Sequence, residues 1–254
     1  MSKADQYLQS IISKHRKETG ANSQAYQTAR KFMPTLRGWA GETLIDITFA
    51  GSYAKGTGVE GSTDIDLLIL LDAHTCGNMK DLYENLYSYL DSKLIGPIQR
   101  NLSIGVNHSG IFMDILLARR LILNSGMHDL YCNIHKTSIQ TNTILHNEII
   151  GGSGFTEEIQ TIKIWRNVNR VIFPSFYLEL TVLDVLANRK KRNLSDNILE
   201  IFFYLEDIFV KKQVCDPVNL HNIISDELTI QEKLDIATLA RRTRLAANWE
   251  DMIW

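Results

Sequence analysis

The spacing of apolar residues changes its period along the chain. Positions 7–14 and 23–39 carry apolar residues three and four apart, which predicts two amphipathic helices interrupted near Gly20. Residues 44–50 then form an apolar, β-favouring run, and Leu67-Leu68-Ile69-Leu70-Leu71 reads as the buried part of a strand over 64–71. Two further strands, 103–107 and 111–118, flank a turn at His108-Ser109-Gly110, while 79–94 has helical spacing and is expected to pack on the sheet. From 155 onward the period is helical, over 155–170, 175–188, 196–212 and 229–249, with Ser225 or Asp226 near the start of the last helix. The pattern predicts an α+β fold with a sheet-bearing half at 1–150 and a helical half at 151–254, compatible with two lobes around a cleft. Gly151-Gly152-Ser153-Gly154 is the expected hinge, and there is no internal repeat.

The most specific chemistry lies between residues 51 and 66. Gly51-Ser52 follows the 44–50 strand and opens a short helix whose first backbone N–H groups suit an anion such as triphosphate. Because side chains alternate along a strand, Asp64 and Asp66 project from one face. Two carboxylates that close repel in an apolar pocket, so the pair makes sense with a divalent cation, most simply Mg²⁺. Asp114, in the hairpin built by 103–107 and 111–118, supplies a third carboxylate beside them. Three aspartates on two strands could hold two ions about 3.5–4 Å apart, one lowering the pKa of an attacking hydroxyl and the other steadying a leaving pyrophosphate. A Gly-Ser pair with two aspartates at these offsets arises by chance at on the order of 10⁻⁵ per position, so the combination outweighs either part alone. A Walker-type loop does not fit, because Gly56 is preceded by Lys55 and followed by Thr57.

Composition narrows the function. A chain of 254 residues, 44% hydrophobic and 22% charged, can bury a substantial core. Met1-Ser2-Lys3 opens no signal peptide, and no apolar run approaches the ~18 residues of a membrane helix, so a cytoplasmic enzyme without membrane partners is expected. Cys76, Cys132 and Cys215 suggest no disulfide framework. Cys132, His135 and His146 could contribute to a zinc site, but no fourth ligand stands at suitable spacing. With 27 Lys+Arg against 29 Asp+Glu, the chain lacks the basic excess that nucleic-acid binding usually requires. The Arg189-Lys190-Lys191-Arg192 run and the Arg241-Arg242 pair are local exceptions, readable as solvated charge or as a contact for an acidic partner.

Gly51-Ser52, Gly56-Thr57, Ser62-Thr63-Asp64-Ile65-Asp66 and the later Asp114 resemble the DNA polymerase β-type nucleotidyltransferase superfamily. Within it the chain is most similar to the cyclic GMP-AMP synthase-like and oligoadenylate synthase-like enzymes, including the bacterial CD-NTases that make cyclic oligonucleotide signals. Lys163-Ile164-Trp165-Arg166, Ser175-Phe176-Tyr177-Leu178-Glu179 and Asp216-Pro217-Val218-Asn219 with Asn222 extend the resemblance along most of the chain. It implies a bilobal fold with a mixed catalytic sheet, flanking helices and a C-terminal helical lobe. It further implies that Gly51 and Ser52 bind the donor triphosphate, that Asp64 and Asp66 bridge two Mg²⁺ ions for which Mn²⁺ can substitute, and that Asp114 completes the metal nearer the acceptor hydroxyl. Lys163 and Ser175 would hold the triphosphate and Phe176 would stack on the donor base. Judged as residues alone, Lys163 is a solvated helix lysine, Ser175 after Pro174 an N-terminal cap and Phe176 a core aromatic.

Nucleoside triphosphates would then serve as donor and acceptor for a cyclic second messenger in anti-phage signalling, under the control of an unidentified protein activator. The alternatives are a template-independent RNA nucleotidyltransferase of the CCA-adding kind, an enzyme that modifies an antibiotic, and a catalytically inactive interaction module. The charge balance weighs against the first, and the intact Asp64/Asp66/Asp114 trio with Ser52 against the last.

Overall fold

Helix α1 (Lys3–His15) leads to α2 (Gln24–Ala40), β1 (Leu44–Ala50), the one-turn helix α3 (Gly51–Lys55), β2 (Ile65–Leu71), α4 (Met79–Ser92), β3 (Ile98–Gln99), β4 (Ser103–His108), β5 (Ile111–Arg120), β6 (His128–Cys132) and β7 (Thr137–Thr141). There follow α5 (Thr143–Gly151), α6 (Thr156–Val168), α7 (Ser175–Leu186), α8 (Leu194–Asp207), the short strands β8 (Cys215–Asp216) and β9 (Asn219–Ile223), α9 (Ile230–Arg244) and α10 (Trp249–Met252). This computed structural model describes residues 2–61, 65–121, 126–187 and 193–254. The expected Asp64, with Ser62 and Thr63, and the Arg189-Lys190-Lys191-Arg192 run lie outside the described residues.

The chain divides into two compact units, Glu18–Gly56 with Ser62–Glu148, and Met1–Lys17 with Thr57–Gly61 and Ile149–Trp254. The first is built on a seven-stranded mixed sheet in the order β1-β2-β5-β4-β3, with β6 on β5 and β7 on β6. Only β2 and β5 run parallel; every other pair of neighbouring strands in it is antiparallel. Side-chain alternation divides the sheet's two faces. Ile65, Leu67, Ile69 and Leu71 share one face with Met113, Ile115 and Leu117, buried with Phe32, Met33 and Leu36 of α2 and Tyr83, Leu86 and Leu90 of α4. Asp66 and Asp114 therefore project from the opposite face, where Ala50, Leu68, Leu70, Ala118 and Leu130 form a smaller cluster. The expected β4–β5 hairpin is present, and Ser109 (φ 53°) and Gly110 (φ 81°) both take left-handed backbone at its turn.

The second unit is helical around Trp165, Phe173, Tyr177, Phe202 and Phe209. Leu8, Ile11 and Ile12 of α1 belong to the same core, so the first helix groups with the C-terminal helices and not with the sheet. The division between units falls at Glu148–Ile149, within α5, rather than at the glycine run 151–154. Asp5 caps α1 with Ser2 and also accepts from Ser195 N–H at 2.9 Å; burial acts to raise its pKa, yet these bonds hold it at about 2. The last predicted helix is broken into α9 and α10, and the α9 cap is Thr229 in a capping box with Glu232, not Ser225 or Asp226. Among the described residues no helix is long and apolar enough to cross a membrane.

Candidate active site

Strand register assembles the centre of the site. Ala50 lies opposite Asp66, Asp66 opposite Asp114, and Asp114 opposite Gly105, across β1, β2, β5 and β4. Residues directly opposite share a face, so the two carboxylates stand side by side on strands about 4.8 Å apart, flanked by residues with little or no side chain. Asp66 is partly exposed and Asp114 only 6% exposed.

The turn that follows β1 is fitted against this row. Gly51 adopts φ +58°, which glycine tolerates without strain, and a Cβ built on it would lie 1.7 Å from Asp66 Oδ2. Glycine is required twice here, by conformation and by contact. Ala50, the N-cap of α3, has no side-chain acceptor, and Ser52 stands partly exposed in that first turn. On the other side of the sheet Tyr53 stacks on Phe49 (5.1 Å between centroids) and Phe49 on Tyr26 (4.8 Å), and Tyr53 Oη donates to Gly20 O at 3.2 Å. These rings buttress the turn.

Two side chains not anticipated from the sequence complete the surroundings of Asp114. Ser103 Oγ donates to Oδ1 at 3.0 Å, and Arg100 Nη1 donates to Oδ2 at 3.2 Å. Tyr83 of α4 fixes the segment that carries both, its single hydroxyl proton shared between Ser103 O at 2.9 Å and Arg100 O at 3.1 Å while the oxygen accepts from Arg100 N–H at 3.2 Å. Burial pushes the Tyr83 phenol above its ordinary pKa, so it remains a donor. No sequence spacing marks Arg100 or Ser103; only the strand register reveals them.

The other expected ligands lie on α6 and α7 in the helical unit. Lys163 is buried in an ion pair rather than solvated. Its side chain is 1% exposed, with Nζ 2.6 Å from Glu179 Oε1 and 2.9 Å from Thr57 Oγ1. Ser175 is exposed at the first position of α7, with Pro174 and not Ser175 as the N-cap residue, and accepts from Arg166 Nη1 at 2.9 Å. Burial lowers the Arg166 pKa, opposed by Glu179, but a guanidinium keeps its charge. Phe176 packs partly buried against the helical core.

The residues of the zinc alternative are not brought together. Cys132 Sγ donates to Asn101 Oδ1 at 3.1 Å, His146 bonds Thr141 Oγ1 at 3.3 Å, and His135 is exposed. Among the described residues no group of three or more His, Cys, Asp or Glu is placed to hold a metal ion.

Residues 29–100 match the family model of the nucleotidyltransferase domain. No curated protein matches the chain in sequence. In fold the chain is similar to CdnC of E. coli MS115-1, solved with ATP, at a TM-score of 0.79 and 17% identity over 98% of this chain and 94% of that one. It is also similar to the CdnE cyclic dinucleotide synthase of Elizabethkingia meningoseptica, solved with GTP and Apcpp (TM-score 0.70, 16% identity, 92% of this chain and 96% of that one). A variant of the Cid1 poly(U) polymerase bound to MgATP matches at a TM-score of 0.65 and 12% identity, over 94% of this chain and 93% of that one. Residues 29–100 thus resemble a nucleotidyltransferase domain, and the chain as a whole shares the fold of the bacterial CdnC and CdnE structures.

Proposed function

We propose that this chain is a metal-dependent enzyme that joins nucleoside triphosphates into a cyclic oligonucleotide, releasing pyrophosphate, and that it serves anti-phage signalling in the cytoplasm. The observation that carries the proposal is the paired row of Asp66 and Asp114 with the Gly51 turn seated against it. The donor set suits a divalent cation: the oxygens are hard carboxylates, and the guanidinium 3.2 Å from Asp114 Oδ2 marks a position that already takes positive charge. Asp66 and Asp114, with Asp64 two residues before Asp66 in the sequence, would hold Mg²⁺ or Mn²⁺. When bound, such ions lower the pKa of an attacking hydroxyl and neutralise charge on the leaving pyrophosphate. Ser52 and the first N–H groups of α3 would orient the donor triphosphate. Ser175, held by Arg166, would contribute from α7, with Phe176 stacking on the donor base. Lys163, which also holds Thr57, would approach the triphosphate from α6.

Support for a cyclic product comes from the likeness to CdnE along nearly the full length of both chains, and from a charge balance that offers little to a nucleic-acid backbone. That CdnC is also solved in complex with HORMA-deltaN supports a protein partner for this chain, which we propose acts as an activator. The likeness to Cid1 favours a second reading, addition of nucleotides to an RNA 3′ end. Incubation with the four triphosphates and Mg²⁺ or Mn²⁺, followed by phosphatase and mass spectrometry, separates the two. A phosphatase-resistant oligonucleotide formed without added RNA supports the cyclic product; label appearing only on RNA 3′ ends establishes the second reading.

A further inference from the structure

We propose that Arg100 is a resident counter-cation for Asp114, which a divalent ion must displace, so that metal binding at Asp114 stays weak until a nucleotide arrives with it. This rests on the reading of Asp66 and Asp114 as metal ligands. Asp114 is buried beside Asp66 on the adjacent strand, and two such carboxylates without a cation repel each other. Arg100 relieves that repulsion, with Nη1 3.2 Å from Oδ2.

The geometry suits an exchange. The Arg100 backbone is held at both its N–H and its carbonyl by the Tyr83 hydroxyl, whereas the side chain is 43% exposed. Its path to Asp114 runs over Gly105, where an added Cβ would stand 2.7 Å from Arg100 Nε. Ser103 holds Asp114 Oδ1 at 3.0 Å, so the carboxylate keeps its orientation while Oδ2 changes partner. A guanidinium does not lose its proton near neutral pH, which leaves competition by another cation as the means of release. Once displaced, its planar donor fork matches a phosphate, so a nucleotide compensates the release that a bare metal ion must drive alone.

The test is Mn²⁺ binding to the full-length protein without nucleotide, followed by electron paramagnetic resonance, with thermal melts to confirm folding. Arg100→Gln is expected to bind Mn²⁺ about 1.5- to 5-fold more tightly than wild type, the range for losing a competing, partly exposed ion pair. Arg100→Lys, which keeps the charge, is expected to stay near wild type. Adding Asp114→Asn to Arg100→Gln is expected to abolish the gain. Equal or weaker Mn²⁺ binding in Arg100→Gln overturns the proposal, as does a gain of the same size in Arg100→Lys. Mn²⁺ binding that ignores both Asp66→Asn and Asp114→Asn overturns the metal reading itself, and the proposal with it. Dependence on Asp114 without any response to Arg100→Gln sinks only the counter-cation.

Discussion

Gly51→Ala tests whether the close fit between the turn and Asp66 is catalytic. The substitution carries two separable penalties. At φ +58° an L-residue costs about 1–2 kcal/mol in left-handed backbone. The new Cβ would also lie 1.7 Å from Oδ2, 2.6 Å from Cγ and 3.1 Å from Cβ of Asp66, so the whole carboxyl group must retreat. Restoring ordinary carbon–oxygen contact requires a shift of roughly 1.5–2 Å. Stability should fall by the backbone term, about 2–8 °C in Tm for a chain of this size. Turnover should fall much further, by about 100-fold or more, since a misplacement near 1 Å can cost that much. Pyrophosphate release at saturating nucleotide and Mg²⁺, measured well below the melting transition, reports the second quantity. A variant that keeps more than about a tenth of wild-type turnover, or that loses activity only in step with its unfolded fraction, would refute the reasoning.

Asp66→Asn or Asp114→Asn should each reduce pyrophosphate release by at least about 100-fold without unfolding the protein, although Asp114→Asn also loses the ion pair with Arg100; substantial residual turnover counts against a metal role. Lys163→Met removes the ammonium 2.6 Å from the buried Glu179 carboxylate and should destabilise the protein by about 3–5 kcal/mol in denaturant, with the Lys163→Met/Glu179→Met double variant recovering most of it. A single variant as stable as wild type would refute the structural weight given to this ion pair. Burial, the largest influence, holds the His128 pKa near 4 against an ordinary 6.5, although its bond to Gly126 O opposes the shift. The unfolded chain takes up that proton first, so the contribution is complete above pH 6.5 and falls away toward pH 4, by about 3 kcal/mol in total. His128→Gln should flatten stability across that window, and an unchanged slope in pH-dependent unfolding contradicts the assignment.

The legible part of the molecule is the part written locally. Gly51-Ser52 and Asp66 lie within one short stretch, and the β4–β5 turn at Ser109-Gly110 declares itself by residue type. The Asp66–Asp114 pairing depends on a parallel crossover whose register no local pattern records. Nothing in the sequence marks Arg100, because its partner Asp114 lies 14 positions away on β5, and Lys163 reads as solvated because Glu179 and Thr57 are 16 and 106 positions away. Strands β6 and β7 escape notice for another reason. His128-Asp129-Leu130-Tyr131-Cys132 is buried throughout, with two polar residues inside, and Thr137–Thr141 is mostly polar and exposed, so neither alternates. The apolar face of α1 is evident, but a stripe of Leu8, Ile11 and Ile12 does not say what it packs against. Helical period continued through 245–248, where exposed Leu245 and the fresh cap at Asn248 end one helix and begin another.

Residues 57–61, which join the Gly51 turn to the acidic strand, are anchored within the helical unit: Thr57 by Lys163 and Glu179, Glu60 by Asn167 and by His15. During synthesis the sheet unit is complete in sequence once Glu148 has emerged, whereas those anchors on α6 and α7 are translated later. Domains tend to fold as they emerge, so a nascent chain can form its sheet while this strap and the apolar stripe of α1 still lack their partners. Until α6 and α8 have been made, Leu8, Ile11 and Ile12 are exposed to chaperones or to aggregation. Helix α1, made before the sheet, is thus among the last elements to reach its native packing, and residues 57–61 gain their anchors only at that late stage.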